Sequence, residues 1–490
     1  MRGNSNIFTC LRRIMIWCVL LCALFSACQS EIISHDSANK LAFSHDSILF
    51  DTVFTAMGSS TKRVMVYNPN RNAVLIDRVE MAKGQSFCIN LDGENQLENL
   101  RDITLRGGDS LFLFIRAEID PLQSNSPVLV EDTITFYLNN QPQQIYLQAY
   151  GQDVEIIRGK NGRVDTTHLH LSNSKPYLIY DTLLVAGNLS IEQGTTLYMH
   201  TGAMIYAYGS VSAKGTLEQP IVIRGDRTDM LFDSVPYRVA SGQWNGLYFI
   251  HLEGSLRPRY NLDYVDVLSG SIGVYAYSES TTLRPQLTLT NARIHNHSIY
   301  GLILQNVDAT VANTEISNCA SYCVYLEGGN HNFVHNTIAS YFGYPYTTIN
   351  IHNNILREDV AAVYINNLSK NMAPTISSFS NCIIEGARSN NLVLATPLSE
   401  YYEGRFVGNY MRADSLPAAV SANNVYASDS DTIVFRNVYY RLQEYRYYDF
   451  HLDSLSLARG VADSIAALAY PYDRLGVRRK SHPDAGCYEY

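Results

Sequence analysis

A five-residue phrase recurs through the second half of the chain and constrains its fold more than any other feature. Its copies share a small residue, an aliphatic residue, usually a tyrosine, then an apolar and a variable residue. They occupy residues 246–250, 273–277, 301–305, 323–327 and 362–366. Successive copies start 27, 28, 22 and 39 residues apart. Self-similarity at this period is typical of a solenoid, and we expect the last gap to contain two coils.

Each copy alternates with period two and is too short for a helix, so it predicts a β-strand. If the strands stack as parallel neighbours, alternate positions form columns on opposite faces. Two columns should point inward: Leu247, Val274, Leu302, Val324 and Val363, and then Phe249, Ala276, Leu304, Leu326 and Ile365. The outward column is Tyr248, Tyr275, Ile303, Tyr325 and Tyr364.

A second ladder of short strands lies upstream of these copies. Its members begin at Tyr264, Asn291, Asn313 and Asn381. Asparagine suits bends because its side chain bonds neighbouring backbone, so we expect an asparagine stack at one corner. Strand columns joined by short bends predict a right-handed parallel β-helix, because only a parallel stack lets every coil reuse one inward pattern.

Residues 45–153 carry a different pattern, with short alternating strands separated by turn signals. The turns at 68–70, 107–109 and 139–142 are rich in Asn, Pro, Gly and Asp. This spacing predicts an antiparallel β-sandwich, so the whole chain is expected to be all-β. The cues YNPN, GGDS and IYLQAYG resemble immunoglobulin-like domains of the ASH/choice-of-anchor kind, which implies a spacer or docking module.

The N-terminus has the features of a targeting segment. Three arginines precede a mostly apolar run at 14–27, which is shorter than the about 20 residues that a spanning helix needs. The run ends in LFSAC at Cys28. This ending resembles a bacterial lipobox, which implies cleavage before Cys28, lipidation of its sulfur and membrane anchoring. The alternative is an ordinary secretory signal followed by a chance cysteine.

The stretches NLSIEQGTTLYM, GSVSAKGTLEQPIVIRG and GQWNGLYF resemble the opening coils of pectin-lyase-like β-helix proteins of the Bacteroidetes. The C-terminal YDFHLDSLSLARGVAD and DRLGVRRKSHPDAGCYEY resemble the last coil and ending of the same family. This resemblance implies fold rather than activity, because the fold hosts lyases, hydrolases and binders. The expected segments are a signal peptide at 1–27, a lipidated tether at 28–44, the sandwich at 45–153, a connector or cap at 154–182 and the β-helix with its cap at 183–490.

Charge limits the partners of the chain. It carries 37 Lys and Arg against 46 Asp and Glu, and loss of residues 1–27 removes three arginines and no acid, leaving 34 − 46 = −12. This balance argues against nucleic acid and against a purely electrostatic hold on anionic lipid. The Cys and His spacing does not suggest zinc, so we expect no metal or cofactor, and Ca²⁺ only if the protein is a lyase.

Asp266, Arg293 and Glu315 share one outward column of the second ladder. Asp266 and Glu315 lie two coils apart, about 9–10 Å at the strand spacing, which is near the carboxyl separation of an inverting glycosidase. Arg293 between them would lower both pKa values, whereas a general acid needs a raised one. The two carboxylates are weak catalytic candidates, and an exposed cross-coil salt ladder is the favoured alternative.

Five histidines also cluster in the repeat region. They are His295, His297, His331, His335 and His352. A base or metal site is conceivable because imidazole titrates near neutral pH. We favour the simpler interpretation that histidine replaces asparagine at solvated bends.

Tyr248, Tyr275, Tyr325 and Tyr364 are the strongest binding candidates. An outward tyrosine column would form a flat aromatic strip, whose rings stack on sugar rings and whose hydroxyls bond sugar hydroxyls. The strip repeats at the coil spacing, so it matches a polymer lying along the coils. The alternative is that a loop or sheet packs over half-buried tyrosines.

These observations predict a lipid-anchored protein of the bacterial cell envelope, located in the outer membrane. They do not predict whether it faces the cell surface or the periplasm. The expected function is non-catalytic glycan binding or surface interaction on a β-helix scaffold. Two alternatives remain open: a polysaccharide lyase or glycoside hydrolase, and a structural or adhesin-like envelope component.

Overall fold

A computed structural model describes residues 32–124, 126–232, 235–342, 360–367, 369, 371–395, 402–428, 430–438 and 448–490. The chain divides into two compact units, Met1–Gln152 and Asp153–Tyr490. Both are built from β-strands, and each is treated below by itself. No helix in the described ranges is long and apolar enough to span a membrane.

The first unit consists of two sheets of short, mostly antiparallel strands. Its strands are β1 (Ala42–Phe43), β2 (Ser47–Phe54), β3 (Lys62–Tyr67), β4 (Val74–Met81), β5 (Phe87–Leu91), β6 (Arg101–Leu105), β7 (Ser110–Ala117), β8 (Val128–Leu138) and β9 (Gln141–Gln152). The sheet orders are β1-β3-β7-β5 and β2-β9-β8-β4-β6. One pair, β2 with β9, is parallel.

The inward residues of both sheets form one hydrophobic core, as expected for a sandwich. Strand β7 shows the alternation clearly, because Leu113 and Ile115 are fully buried while Phe112 and Phe114 between and beside them are exposed. Asn68 of the YNPN turn is buried, and its side-chain amide donates to the carbonyl of Leu105 at 3.0 Å. The predicted antiparallel β region is confirmed.

The second unit contains three long sheets in which every strand pair is parallel. Sheet I is β10 (Glu155–Ile157), β13 (Tyr177–Ile179), β16 (Thr196–Met199), β19 (Ile221–Gly225), β24 (Val265–Leu268), β27 (Arg293–His295), β30 (Glu315–Ser317), β33 (Thr337–Ser340), β36 (Ile383–Gly386), β39 (Tyr410–Met411) and β41 (Val425–Tyr426). Sheet II is β11 (Arg163–Thr166), β14 (Thr182–Val185), β17 (Met204–Ala207), β22 (Gly246–His251), β25 (Ile272–Ser278), β28 (Tyr300–Gln305), β31 (Val324–Glu327), β34 (Val363–Asn366) and β37 (Leu392–Leu394). Sheet III is β12 (Leu169–Leu171), β15 (Leu189–Ile191), β18 (Val211–Lys214), β23 (Arg259–Asp263), β26 (Gln286–Thr290), β29 (Asp308–Ala312), β32 (Gly329–Val334), β35 (Thr375–Ser380), β38 (Tyr402–Val407) and β40 (Ser421–Ala422).

Chain order cycles through sheets I, II and III, so each cycle is one coil of a β-helix. In the described part of the chain, two antiparallel strand pairs lie outside these sheets: β20 (Met230–Phe232) with β21 (Val235–Pro236), and β42 (Phe435–Asn437) with β43 (Asp449–Leu452). The described ranges also contain three short helices: Leu97–Asn99 in the first unit and Tyr237–Val239 in the second, both 3-10, and α1 (Ser464–Ala467).

The recurring phrases stack in the predicted register. Leu247 pairs with Val274, and the column continues without a shift through Leu302, Val324 and Val363. Both predicted inward columns are buried in one continuous core. The prediction that the last gap hides two coils is wrong, because Val324 pairs directly with Val363, 39 residues later.

The β-helix begins earlier than expected. Residues 154–182, predicted as a connector or cap, already contain β10 to β13 and the start of β14. Ile156 pairs in parallel with Leu178, and Val164 pairs with Leu183. These strands have only three or four residues and many polar ones, so their alternation is weak in the sequence.

Left-handed backbone marks one corner of successive coils, where sheet III passes into sheet I. Asn291, Asn313, His335 and Asn381 all have φ between 47° and 58° there, a conformation that asparagine tolerates better than most residues. The Asn313 amide donates to the Asn291 side-chain oxygen at 3.2 Å. The expected asparagine stack is therefore present, with histidine replacing asparagine in one coil.

The C-terminal residues 472–490, which we call the C-terminal strap, pack across several coils of sheet I. Arg479 donates to the side-chain oxygen of Asn313 at 2.8 Å, and the backbone amide of Cys487 donates to Thr337 at 3.1 Å. Arg479 and Glu489 form an ion pair within the strap, and both side chains are almost fully buried. The strap thus fixes neighbouring coils to one another.

Candidate functional site

Sheet II presents a group of tyrosines on its outer face, which we call the tyrosine band. Tyr206, Tyr248 and Tyr275 occupy the same position on three consecutive strands, and Tyr325 and Tyr364 continue the column beyond Ile303. The band also contains Tyr277, Tyr300 and Tyr322. All eight rings are half-buried, whereas Ile303 is only 8% exposed. Tyr206 was not predicted as a site residue, because its strand lies before the first copy of the recurring five-residue phrase.

The rings of the tyrosine band stack largely on one another. Tyr206 and Tyr248 have centroids 4.7 Å apart at 22°, and Tyr325 and Tyr364 have centroids 5.6 Å apart at 12°. Tyr322 also stacks on Tyr364 at 4.7 Å. Rings this close and nearly parallel cover each other's faces, because coplanar neighbours would lie farther apart. Tyr248 and Tyr275, in contrast, meet edge to face at 83°. The rings of the band are therefore not coplanar, as the flat strip expected from the sequence would require.

A row of polar side chains runs beside the tyrosine column, formed by Gln305, Glu327 and Asn366 on successive strands. The Gln305 amide donates to Glu327 Oε2 at 2.7 Å, and the Asn366 amide donates to Glu327 Oε1 at 2.8 Å. Tyr325 donates its hydroxyl to Glu327 Oε2 at 3.1 Å, and Ser369 donates to Oε1. Glu327 is 4% exposed, and these four donors, all neutral, stabilise its carboxylate.

The tyrosine hydroxyls join this polar row. Tyr275 donates to the side-chain oxygen of Gln305 at 2.6 Å, and Tyr325 also accepts a hydrogen bond from Asn366 at 3.0 Å. Burial is the main cause that raises the pKa of both Tyr275 and Tyr325 to about 12. Both phenols therefore stay protonated at neutral pH and act as neutral hydrogen-bond groups.

The structure places Asp266, Arg293 and Glu315 in one column, as predicted, on β24, β27 and β30. The column is not an exposed salt ladder, however, because the C-terminal strap covers it. Arg474 forms an ion pair with Asp266 at 2.5 Å, and Tyr488 donates its hydroxyl to Glu315 Oε2 at 2.5 Å. Glu315 is only 2% exposed.

The surroundings of Glu315 do not support catalysis by the Asp266–Glu315 pair. Burial by itself raises the pKa of the Glu315 carboxyl, but Arg293, His295 and hydrogen bonds from Ser317 and Tyr488 together lower it to about 2. A carboxyl with this pKa is ionised at neutral pH and cannot serve as a general acid. Its oxygens are also occupied by protein donors, so a substrate oxygen has no access to them.

The predicted histidine cluster is dispersed and buried rather than solvated. Burial is the main cause that lowers the pKa of His295 to about 3 and the pKa values of His297 and His331 to about 4. His335 occupies an asparagine corner, but its ring is buried too. His352 lies outside the described residues. Within the described ranges, no three His, Cys, Asp or Glu side chains are grouped closely enough to hold a metal ion.

The cysteines of the described ranges are free thiols. Cys88 is exposed, whereas Cys319, Cys323, Cys382 and Cys487 are buried. Cys319 and Cys323, four residues apart, are therefore not bridged. Cys28, the expected lipidation site, lies outside the described residues.

The parallel sheets, the continuous core between them and the sequence together define the second unit as a right-handed parallel β-helix. Residues 249–399 match the family described as the right handed beta helix region. This match covers less than half of the chain, and it falls on the coils that carry most of the tyrosine band. No curated protein sequence matches the chain.

Solved structures offer only distant likenesses. One is a family 123 glycoside hydrolase from Clostridium perfringens, with 6% identity and a TM-score of 0.18 over 23% of this chain and 25% of that one. Another is the VesB protease of Vibrio cholerae, with 10% identity and a TM-score of 0.17 over 23% of this chain and 32% of that one. The likeness therefore spans about a quarter to a third of those proteins, and at these scores it carries no argument.

Proposed function

We propose that the protein is a non-catalytic glycan-binding lipoprotein of the bacterial cell envelope and that the tyrosine band is its binding surface. The observation that carries the proposal is the in-register outer column of half-buried tyrosines beside a row of amide and carboxylate groups. Tyrosine combines apolar area with a hydrogen-bonding hydroxyl, which suits a wet binding surface. Because both rows repeat once per coil, they fit a polymer that lies along the stack of strands.

The stacked rings change how such a polymer would bind. Ring surfaces and phenol hydroxyls would contact the sugar hydroxyls, and the half-buried amide of Gln305 would add a donor and an acceptor. Each hydrogen bond of this kind contributes only about 0.5–1.5 kcal/mol, so useful affinity needs several coils acting together. The proposal therefore predicts weak binding of short oligosaccharides and stronger binding of long chains.

Two other functions compete with this proposal. A lyase or glycosidase needs accessible acid–base groups. The predicted candidates, Asp266 and Glu315, are instead bound by Arg474 and Tyr488 of the C-terminal strap. A structural or adhesin-like role is favoured by the mutual stacking of the rings, since each stacked pair contributes about 0.5–1.5 kcal/mol to stability beyond its buried area.

Membrane anchoring through Cys28 and the outer-membrane location are part of the same proposal. They rest on the basic N-terminus, the short apolar run and the lipobox-like LFSAC ending. The resemblance to Bacteroidetes β-helix proteins supplies the bacterial setting, and an immunoglobulin-like first unit would act as a spacer above the membrane.

Glycan binding is tested with the full chain in detergent against neutral and acidic polysaccharides, with and without Ca²⁺. Binding should fall at least tenfold in a Tyr248→Ala/Tyr364→Ala variant, because two rings of the binding surface are removed. These two tyrosines are chosen because neither hydroxyl takes part in the Glu327 network described above. The matched control is Tyr146→Ala, an exposed tyrosine of the first unit. New reducing ends or an unsaturated product would show catalysis instead, and equal binding by both variants would exclude the tyrosine band.

Anchoring is tested with Cys28→Ser in cells supplied with an alkyne-labelled fatty acid. The wild-type chain should carry the label and sediment with the membranes, whereas the variant should lose both properties. Retention of the label in the variant would contradict lipidation at Cys28.

A further inference from the structure

The charge of sheet II bears on the kind of glycan that the tyrosine band can bind. We infer that the ligand is an uncharged polysaccharide and not a polyuronate or another acidic polymer. This inference rests on the proposed glycan-binding function and narrows it to one substrate class.

The strands that carry the tyrosine band contain no positive charge. From β14 to β37, sheet II has neither lysine nor arginine in its strands. Its single acidic residue there is Glu327, whose carboxylate is held by neutral donors. On the described strands of this face an acidic polymer would meet the Glu327 carboxylate and neither lysine nor arginine, so its carboxylates would be desolvated without a partner there.

The margin of the band, where the strands of sheet II end, is also acidic. Glu253 follows β22 and Glu279 follows β25, and the backbone amide of Glu253 donates to Glu279 Oε2 at 3.0 Å. Two arginines near this margin, Arg257 and Arg284, both bind Asp308, at 3.3 and 2.8 Å. Glu253, Glu279, Asp308 and Glu327 outnumber these two arginines by two. The margin therefore adds repulsion for a polyanion.

Neutral polymers face none of these costs. Their hydroxyls can donate to the side-chain oxygen of the half-buried Gln305 and accept from its amide and from the phenols of the tyrosine band. The inference also weighs against the lyase alternative at this surface. β-Elimination acts on uronates, in which the carboxyl group acidifies the neighbouring C–H bond, and such substrates need a cation or a base beside that carboxyl.

The test uses polymer pairs that share a backbone and differ in charge. The full chain in detergent is titrated with hydroxyethyl cellulose, galactomannan and methyl-esterified polygalacturonan, and with their carboxymethylated or saponified counterparts. For each polymer that binds, the neutral form should bind at least tenfold tighter at about 10 mM salt. This ratio should shrink in 0.5 M NaCl, where the screening length falls below about 5 Å.

Variants assign the discrimination to the band. Glu253→Gln/Glu279→Gln should reduce the neutral-to-anionic ratio at least threefold, and Glu327→Gln should reduce it if that variant folds. Glu403→Gln is the matched control, because Glu403 is an exposed glutamate on sheet III of the same β-helix. The polymer pairs alone keep the inference testable even if Glu327→Gln does not fold.

The outcomes separate this inference from the proposed function. Equal or tighter binding of the anionic forms would overturn the inference and leave glycan binding in place. An equal change of the neutral-to-anionic binding ratio in Glu253→Gln/Glu279→Gln and in Glu403→Gln would show that the tyrosine band does not cause the discrimination. Binding of no polymer, charged or neutral, would overturn the proposed function and this inference together.

Discussion

Replacement of Glu315 by glutamine should destabilise the β-helix strongly. Glutamine has nearly the same shape but no charge, so Arg293, 3.2 Å from the carboxylate, would lose its partner. The Glu315 side chain is 3% exposed, whereas that of Arg293 is 30% exposed. Removing one partner of a buried pair costs about 3–5 kcal/mol, and the partial hydration of Arg293 places the expected loss near the lower end.

Proton linkage gives a second route to this magnitude. The folded pKa of Glu315 lies near 2, below its ordinary value of 4.5. A lowering of this size corresponds to about 3 kcal/mol, and much of it reflects the same attraction between Glu315 and Arg293. Because the folded pKa is the lower one, this stabilisation is complete above about pH 5 and is lost as the pH falls toward 2.

The assay is urea denaturation of the full chain followed by the fluorescence of Trp244. This tryptophan is 1% exposed inside the β-helix, and the other tryptophan of the chain, Trp17, lies in the expected leader. Glu315→Gln should lower the unfolding midpoint at pH 7, and the gap from wild type should narrow as the pH falls from 5 toward 2. Asp165→Asn, at an exposed ion pair with Arg163, is the control and should leave the midpoint unchanged.

Two results would refute this reasoning about Glu315. One is a midpoint shift in Glu315→Gln no larger than that of Asp165→Asn. The other is a gap between wild type and Glu315→Gln that stays constant or widens as the pH falls. Either would mean that the strap and the ion pair do not hold the carboxylate as described.

Three further predictions concern the rest of the chain. Gly273→Ala should lower β-helix stability by about 1–3 kcal/mol in the same assay, because a Cβ there would lie 2.4 Å from the Ile294 side chain. Phe379→Ala should cost about 3–5 kcal/mol, since its buried ring stacks between two other phenylalanines; a loss below about 1 kcal/mol would contradict this packing. Iodoacetamide should modify Cys88 alone of the described cysteines in the native protein and all five after denaturation, as mass spectrometry would count.

The columns of the β-helix were predictable because two independent patterns agree. Period-two alternation assigns each phrase to a strand, and the repeat places the strands side by side, so the inward and outward positions follow. Tyr248, Tyr275, Tyr325 and Tyr364 were placed on the outer face in this way. The orientation of their rings was not predictable, because it depends on side-chain packing between coils.

The wrong predictions concern residues that are far apart in the sequence but neighbours in the structure. The coil between Val324 and Val363 was counted as two because the sequence does not show that an insertion leaves the strand register unchanged. Glu315 was expected to be exposed, but Tyr488, 173 residues later, donates a hydrogen bond to it. No local pattern links these positions, so the burial of the acidic ladder required the structure.

The unequal coil lengths have an evolutionary consequence. Coils of 22 and 39 residues pair with their neighbours in the same register, so their connecting segments can lengthen without disturbing the core. Duplication of one coil in the gene would add one strand to each sheet and one more position to the outer face. A lineage could therefore enlarge or diversify this surface by recombination between repeats, with little selection against the intermediates.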